Sequence, residues 1–350
     1  MMVSKDILRK IPKVDLHCHL DGSVRPQTIL ELAKKKNFKF PANVLSAGDL
    51  KKYVSVSSEC HTLTEFLKVF DFYLPFLNTP EAVERISYEL CEDCAKENVR
   101  YLEVRFAPFL QSTETFNMKD VVSTCLSGLK QGSKDFGIDT GLILCCLRSF
   151  TDEINLATVE LASLFKDNGV VALDLAGDES RYPTRDFSGH FSMAKKYKIP
   201  FTIHAGEASG PESIREAISI GASRIGHGTN LIKDEKLLNE LKVKQVPIEV
   251  CITSNIQTNV VKDAESHPVT EFYKRGLNVT LNTDDRSVSG IELSDEFDIF
   301  VNRLRFLPED LYTVVINAAG ALFLPDVDRK KLISSIKKEF AELKISGDKK

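Results

Sequence analysis

The sequence predicts an α/β fold, a (β/α)8 TIM-type barrel with a helical insertion after its first strand. Three observations predict it. Eight short runs rich in β-branched residues alternate with segments of helical period. The first run, VDLHCHLDG, is not followed by the glycine-rich loop of a doubly wound nucleotide-binding sheet. Five of the runs end in histidine, aspartate or glutamate, as they would where barrel strands open onto one catalytic face.

The strand candidates are residues 14–20, 99–106, 140–147, 170–176, 200–205, 224–228, 247–253 and 278–284. Between them, residues 80–98, 118–137, 154–169, 211–221 and 234–245 place apolar side chains at i, i+3, i+4 spacing. Several of these segments close on Gly or Asn before the next strand, as a helix C-cap does. The long stretch at about 22–98 reads as the insertion, so residues 1–350 form a single barrel domain. Within it, LTEFLKVFDFYLPFL aligns Leu63, Phe66, Leu67 and Phe70 on one helical face. Such a face either packs on the barrel or roofs a pocket mouth and excludes water; the two are compatible.

Composition narrows the function. Hydrophobic residues make up 43% of the 350 and charged residues 27%, as in a globular protein; the net charge of −4 gives no reason to expect nucleic acid or an anionic membrane as partner. The first residues lack an apolar signal region, and no window approaches the roughly 20 apolar residues of a membrane span. Eight cysteines without a disulfide framework favour a reducing compartment, and the cytoplasm is the expected location. Cys91 and Cys94 form a C-x-x-C inside a helical segment with no second pair, so they are expected to be structural thiols.

His17 and His19 flank Cys18 in the first strand, so both imidazoles share a face, which in a barrel points inward. His204 ends the fifth run and Glu207 follows it; His227 ends the sixth; Asp284 and Asp285 end the eighth. Imidazole nitrogens with one carboxylate oxygen suit zinc, and a catalytic zinc lowers the pKa of a bound water. His17, His19, His204 and Asp284 make a consistent ligand set. That leaves His227 to orient and deprotonate the water and Glu207 to protonate the substrate, if burial holds its pKa up. Asp285 is a candidate substrate contact or ion-pair partner.

These residues resemble the adenosine deaminase family of the amidohydrolase superfamily. The resemblance is carried by KVDLHCHLDGS at 13–23, YLEVRFAP at 101–108, LDLAGDE at 173–179, HAGE at 204–207, GHG at 226–228 and LNTDD at 281–285, with LCCLR at 144–148 and LTEFLKVFDFYLP at 63–75 in support. It implies one Zn2+ per chain, held by His17, His19, His204 and Asp284, and a purine nucleoside as the small-molecule partner. It further implies that Glu207 protonates purine N1, that His227 acts on the water, and that Asp285 meets N7. The Gly177 backbone would meet N3 and Asp21 the ribose 5′ hydroxyl, with His19 also at the substrate and Leu63, Phe66, Leu67 and Phe70 as an apolar gate. Two departures bear on the substrate. Arg286 stands where animal-type members have proline, and VCITSN at 250–255 lacks proline after its cysteine. Adenine, or a 5′-modified adenosine such as aminodeoxyfutalosine, is therefore the alternative to adenosine, with Arg148 and Arg286 as candidate contacts for an acidic 5′ group. The sequence leaves the oligomeric state open.

Overall fold

A computed structural model describes residues 2–40, 44, 46–56, 60 and 62–345. Eight strands run parallel: β1 (Lys13–His19), β2 (Val99–Phe106), β3 (Asp139–Leu147), β4 (Val170–Ala176), β5 (Thr202–Ala205), β6 (Arg224–His227), β7 (Ile248–Val250) and β8 (Val279–Leu281). They pair in chain order as two four-stranded arcs. Both seams are joined. Leu173 N–H donates to the Pro200 carbonyl at 3.1 Å. His19 N–H donates to the Asp284 carbonyl, and Asp284 N–H to the His17 carbonyl, each at 2.8 Å. The result is the closed (β/α)8 barrel that the alternating pattern predicts.

The last two strands are shorter than their sequence runs. Residues 252–253, expected in the seventh strand, open the helix Ile252–Gln257 instead, because the Glu296 carboxylate accepts the Ile252 and Thr253 N–H groups at 2.7 and 3.0 Å. After Leu281, side chains replace the ladder. The Asn282 side-chain oxygen accepts Leu16 N–H at 2.9 Å, and the Thr283 hydroxyl donates to Asp15 at 2.6 Å.

Between β1 and β2 the described α-helices are Pro26–Lys35, Ala47–Val54, Leu63–Tyr73 and Pro80–Lys96; residues 41–43, 45, 57–59 and 61 of the expected insertion lie outside the described residues. The helix Pro80–Lys96 packs on Met118–Phe136 in the outer ring. Their axes approach closely because Gly132 faces Cys91: a Cβ there would lie 2.6 Å from the Cys91 Cβ. Cys91 and Cys94 are buried free thiols, as expected of structural cysteines.

The barrel interior carries charge. Glu103, Arg224, Glu249, Arg105 and Asp174 form a continuous chain of ion pairs, with successive contacts of 2.6, 2.6, 3.0 and 3.1 Å, all essentially sealed from solvent. Removing Arg224 would take from buried Glu103 its one cation in this chain, the kind of loss that costs about 3–5 kcal/mol. This chain ends under the histidines of the site.

Candidate metal centre and substrate pocket

Strand ends position the cluster. His17, His19, His204 and Asp284 bring one donor atom each within 4.8 Å of one another. Asp284 Oδ1 lies 3.1 Å from His17 Nε2 and 3.3 Å from His19 Nε2, and the Nε2 atoms of His19 and His204 face each other at 3.4 Å. The backbone bends sharply to do this: Asp284 has φ 62° and His227 φ 60°, left-handed conformations that non-glycine residues rarely adopt and that cluster at functional sites.

The second layer fixes which ring nitrogens are free. His17 Nδ1 is 2.9 Å from Glu249, and His204 Nδ1 is 3.0 Å from Asp174. Burial opposes charge on both carboxylates, but Arg105 and Arg224 around Glu249, and His204 and Arg105 around Asp174, outweigh it and hold both well below the usual carboxylate range. An ionised carboxylate can only accept, so both Nδ1 atoms donate, and in the neutral form of each ring the lone pair lies on Nε2. His17 Nε2 is sealed from solvent and makes no hydrogen bond among the described residues. Lone pairs converging with a carboxylate oxygen fit a cation between them, and three imidazoles with one carboxylate suit zinc. A second grouping, His227, Cys251 and Asp284, also comes close; burial pushes the Cys251 thiol well up, away from the thiolate a metal takes.

Beside the cluster is a cavity of about 350 Å³, within the range of small-molecule sites. His19, Asp21, Gly177, His204, Glu207, His227, Asp284 and Asp285 line it. So do Leu63, Phe66, Leu67 and Phe70, from the helix Leu63–Tyr73. Apart from Arg148 and Arg286, the structure thus brings together the site residues expected from sequence, with His17 buried just beneath. Glu207 is pushed up to about 8, by burial first and then by the charges of Asp284 and Glu179. Asp21 is raised to about 6 by burial. Asp285 is held well above its ordinary range by burial and by Asp284, and its Oδ1 is buried without a hydrogen-bond partner among the described residues. Gly22 permits this placement, since a Cβ there would fall 1.6 Å from Asp285 Oδ1.

Arg286 and Arg148 turn away from the cavity. Arg286 pairs with buried Glu97 at 2.6 Å. Arg148 donates to the carbonyls of Tyr182 and His204, at 2.7 and 2.6 Å, and to the Thr184 hydroxyl at 3.0 Å. Both are structural, as a buried guanidinium with fixed acceptors must be. Sequence reasoning missed Glu249, Asp174 and Arg105, and it missed three more. Ser254 donates to Asp284 Oδ2 at 2.6 Å. Asn255 lies 3.0 Å from His227 Nδ1. The Glu179 carboxylate gathers the N–H groups of Gly206, Glu207, Ala208 and Ser209 at 2.6–3.0 Å, which fixes the loop carrying Glu207.

A closed parallel barrel whose strand ends converge on three imidazoles and a carboxylate, beside a buried acid, defines a barrel hydrolase built to hold a metal ion. The comparisons narrow the class: the chain belongs to the adenosine deaminase family, whose model, described as "Adenosine deaminase", matches residues 12–339. An adenosine deaminase of Clostridium kluyveri is 38% identical over 327 residues, 93% of each chain. The crystal structure of an adenine deaminase from Arthrobacter aurescens is similar at 25% identity and TM-score 0.85, over 95% of this chain and 99% of that one. An N6-methyl-AMP deaminase from Arabidopsis thaliana is similar at 28% identity and TM-score 0.84, over 97% and 100%.

Proposed function

We propose that this protein is a zinc-dependent deaminase that converts adenosine and 2′-deoxyadenosine to inosine and 2′-deoxyinosine with release of ammonia. The oxygen of water replaces the amine at C6; one proton of the water ends on ring N1 and the other leaves with the ammonia. A zinc ion held by His17, His19, His204 and Asp284 would supply a water of lowered pKa. The observation that carries the reading is Glu207, a buried acid raised to about 8 and therefore protonated at neutral pH, in the same cavity as the cluster. It gives its proton to N1 as the ring takes up the oxygen. Asp285 hydrogen-bonds N7, the Gly177 backbone meets N3, Asp21 takes the 5′ hydroxyl, and His227 orients the water. Leu63, Phe66, Leu67 and Phe70 close over the ring and exclude bulk solvent.

Charge in the cavity supports a neutral nucleoside over a 5′-anionic one. Among the described lining residues Arg181 is the one arginine or lysine, and it pairs with Asp178 at 3.3 Å; Asp21 and Asp71 add negative charge. A free base such as adenine would leave Asp21 without its hydroxyl partner. The eight free cysteines support a reducing, cytoplasmic setting.

Ultraviolet absorbance tests the proposal, with metal-assayed protein and adenosine, 2′-deoxyadenosine, adenine and a 5′-modified adenosine as substrates. The expected result is conversion of the first two at kcat/KM of at least about 10⁴ M⁻¹s⁻¹, with the others about tenfold or more slower. Turnover confined to adenine or to the 5′-modified compound would move the substrate. Full activity in verified metal-free protein would remove the mechanism.

A further inference from the structure

Asn255 and His267 are buried outside the cavity lining, behind His227. Asn255 lies in the helix Ile252–Gln257, and His267 precedes the helix Val269–Arg275. The two form a line of hydrogen bonds whose polarity the backbone sets. Val269 N–H donates to His267 Nδ1 at 3.0 Å, and a backbone amide can only donate, so that nitrogen carries a lone pair. Burial pushes His267 down to about 3, so the ring is neutral with its proton on Nε2. That N–H faces Asn255 Oδ1 at 3.2 Å, which orients the amide. Asn255 Nδ2 then donates to His227 Nδ1 at 3.0 Å and makes a longer contact, 3.5 Å, with Glu207 Oε1. The opposite nitrogen, His227 Nε2, faces Glu207 Oε2 at 3.7 Å.

We propose that Asn255 and His267 are positioning residues that hold His227 as its Nε2–H tautomer, so that His227 offers the reacting water a hydrogen-bond donor rather than an acceptor. The tautomer stands on these hydrogen bonds; its consequence for the reaction rests on the deaminase reading above. A donor at Nε2 orients the water through a lone pair and stabilises negative charge on its oxygen, while the proton the water gives up goes to the Glu207 carboxylate as that group's own proton passes to N1, and from there leaves with the ammonia. Glu207 Oε1 faces the Thr258 hydroxyl at 3.4 Å and the Asn255 amide at 3.5 Å, which leaves Oε2 to carry the acid's proton toward the cavity. The 250–255 segment thus supplies, in Asn255, the residue that sets the His227 proton.

Long-range ¹H–¹⁵N correlation spectra of ¹⁵N-histidine-labelled, zinc-loaded protein separate protonated from bare ring nitrogens, and loss of signals in His227→Asn assigns the ring. The wild type should carry the His227 proton on Nε2. Asn255→Asp, nearly isosteric, replaces the donor by an acceptor and should move that proton to Nδ1, with kcat falling at least about tenfold and KM holding within about threefold. A wild-type ring protonated on Nδ1, a variant that keeps the wild-type tautomer, or a moved proton without loss of kcat overturns the proposal. The wild-type spectrum decides the tautomer even if the variant fails to fold. Because the spectra need no turnover, they hold or fail independently of the substrate assignment.

Discussion

At the residue scale, the proposed chemistry depends on how one carboxyl group is kept protonated. Burial disfavours the ionised form of Glu207, and the neighbouring charges of Asp284 and Glu179 add to it. Four backbone N–H groups anchored on Glu179 hold the loop in place, so the acid cannot swing out to solvent. Glu207→Gln keeps the shape and removes the proton. We expect kcat/KM to fall by about 10²–10⁴ while metal content, measured by elemental analysis, stays at the wild-type value. A loss under about tenfold would take Glu207 out of the acid's role. The clustered residues were legible in the sequence because histidine and aspartate at strand ends have few structural uses in combination. Their supports were not. Glu249 and Asp174 sit inside apolar runs, where one charged letter does not reveal its partner. A signal was present: β2, β4, β6 and β7 each carry buried charge, of both signs, and charges enclosed together must pair across the interior.

At the scale of elements, β2 and β4 match their sequence runs to the residue, since apolar β-branched patterning and backbone pairing end together there. Agreement fails at β7 and β8, where Glu296, Asn282 and Thr283 take over the backbone's hydrogen bonds, a tertiary effect that no local pattern encodes. The apolar face of the helix Leu63–Tyr73 borders the pocket, the second of its two readings, while its other side packs within the insertion. Phe72, on its other side, packs in an aromatic group with Phe38, Phe40, Tyr53 and Phe76, at centroid distances of 5.8–6.3 Å. Leu63, Phe66, Leu67 and Phe70 meanwhile face the cavity. Thr64 ties this helix to the loop after β4, donating to Asp178 at 2.8 Å. Thr64→Val keeps the volume and deletes the bond. Losing about 1.4 kcal/mol of closed-state stability should raise KM for adenosine about tenfold with kcat within about twofold. Steady-state kinetics checks this, and an unchanged KM would mean that the bond does not hold the gate.

At the scale of the whole molecule, buried titratable groups pull the stability curve in opposite directions. Asp15 and Asp21, raised to about 6, and Glu296, raised to about 7, are acids that burial makes costly to ionise; the folded state binds their protons more readily, so they add stability as the pH falls from neutrality. His267 acts the other way. Its folded value of about 3 lies below the ordinary 6.5, so the unfolded chain binds the proton first. The stability it contributes is complete above about pH 6.5 and is lost as the pH falls toward 3. Glu97 loses its share only below the ordinary glutamate range, because burial, which would raise it, is outweighed by Arg286 and Lys13. The total between pH 7 and 5 is therefore a partial cancellation, and only a difference isolates one term. His267→Gln keeps a side-chain N–H for Asn255 and does not titrate. Subtracting its unfolding free energy from that of the wild type at each pH removes the acids common to both. The wild-type advantage should shrink by about 2 kcal/mol between pH 7 and pH 5, the proton-linkage cost of a group whose pKa falls from 6.5 to about 3. Denaturant unfolding at the two pH values measures it, and an advantage that does not change with pH would mean that His267 takes up its proton in the folded protein.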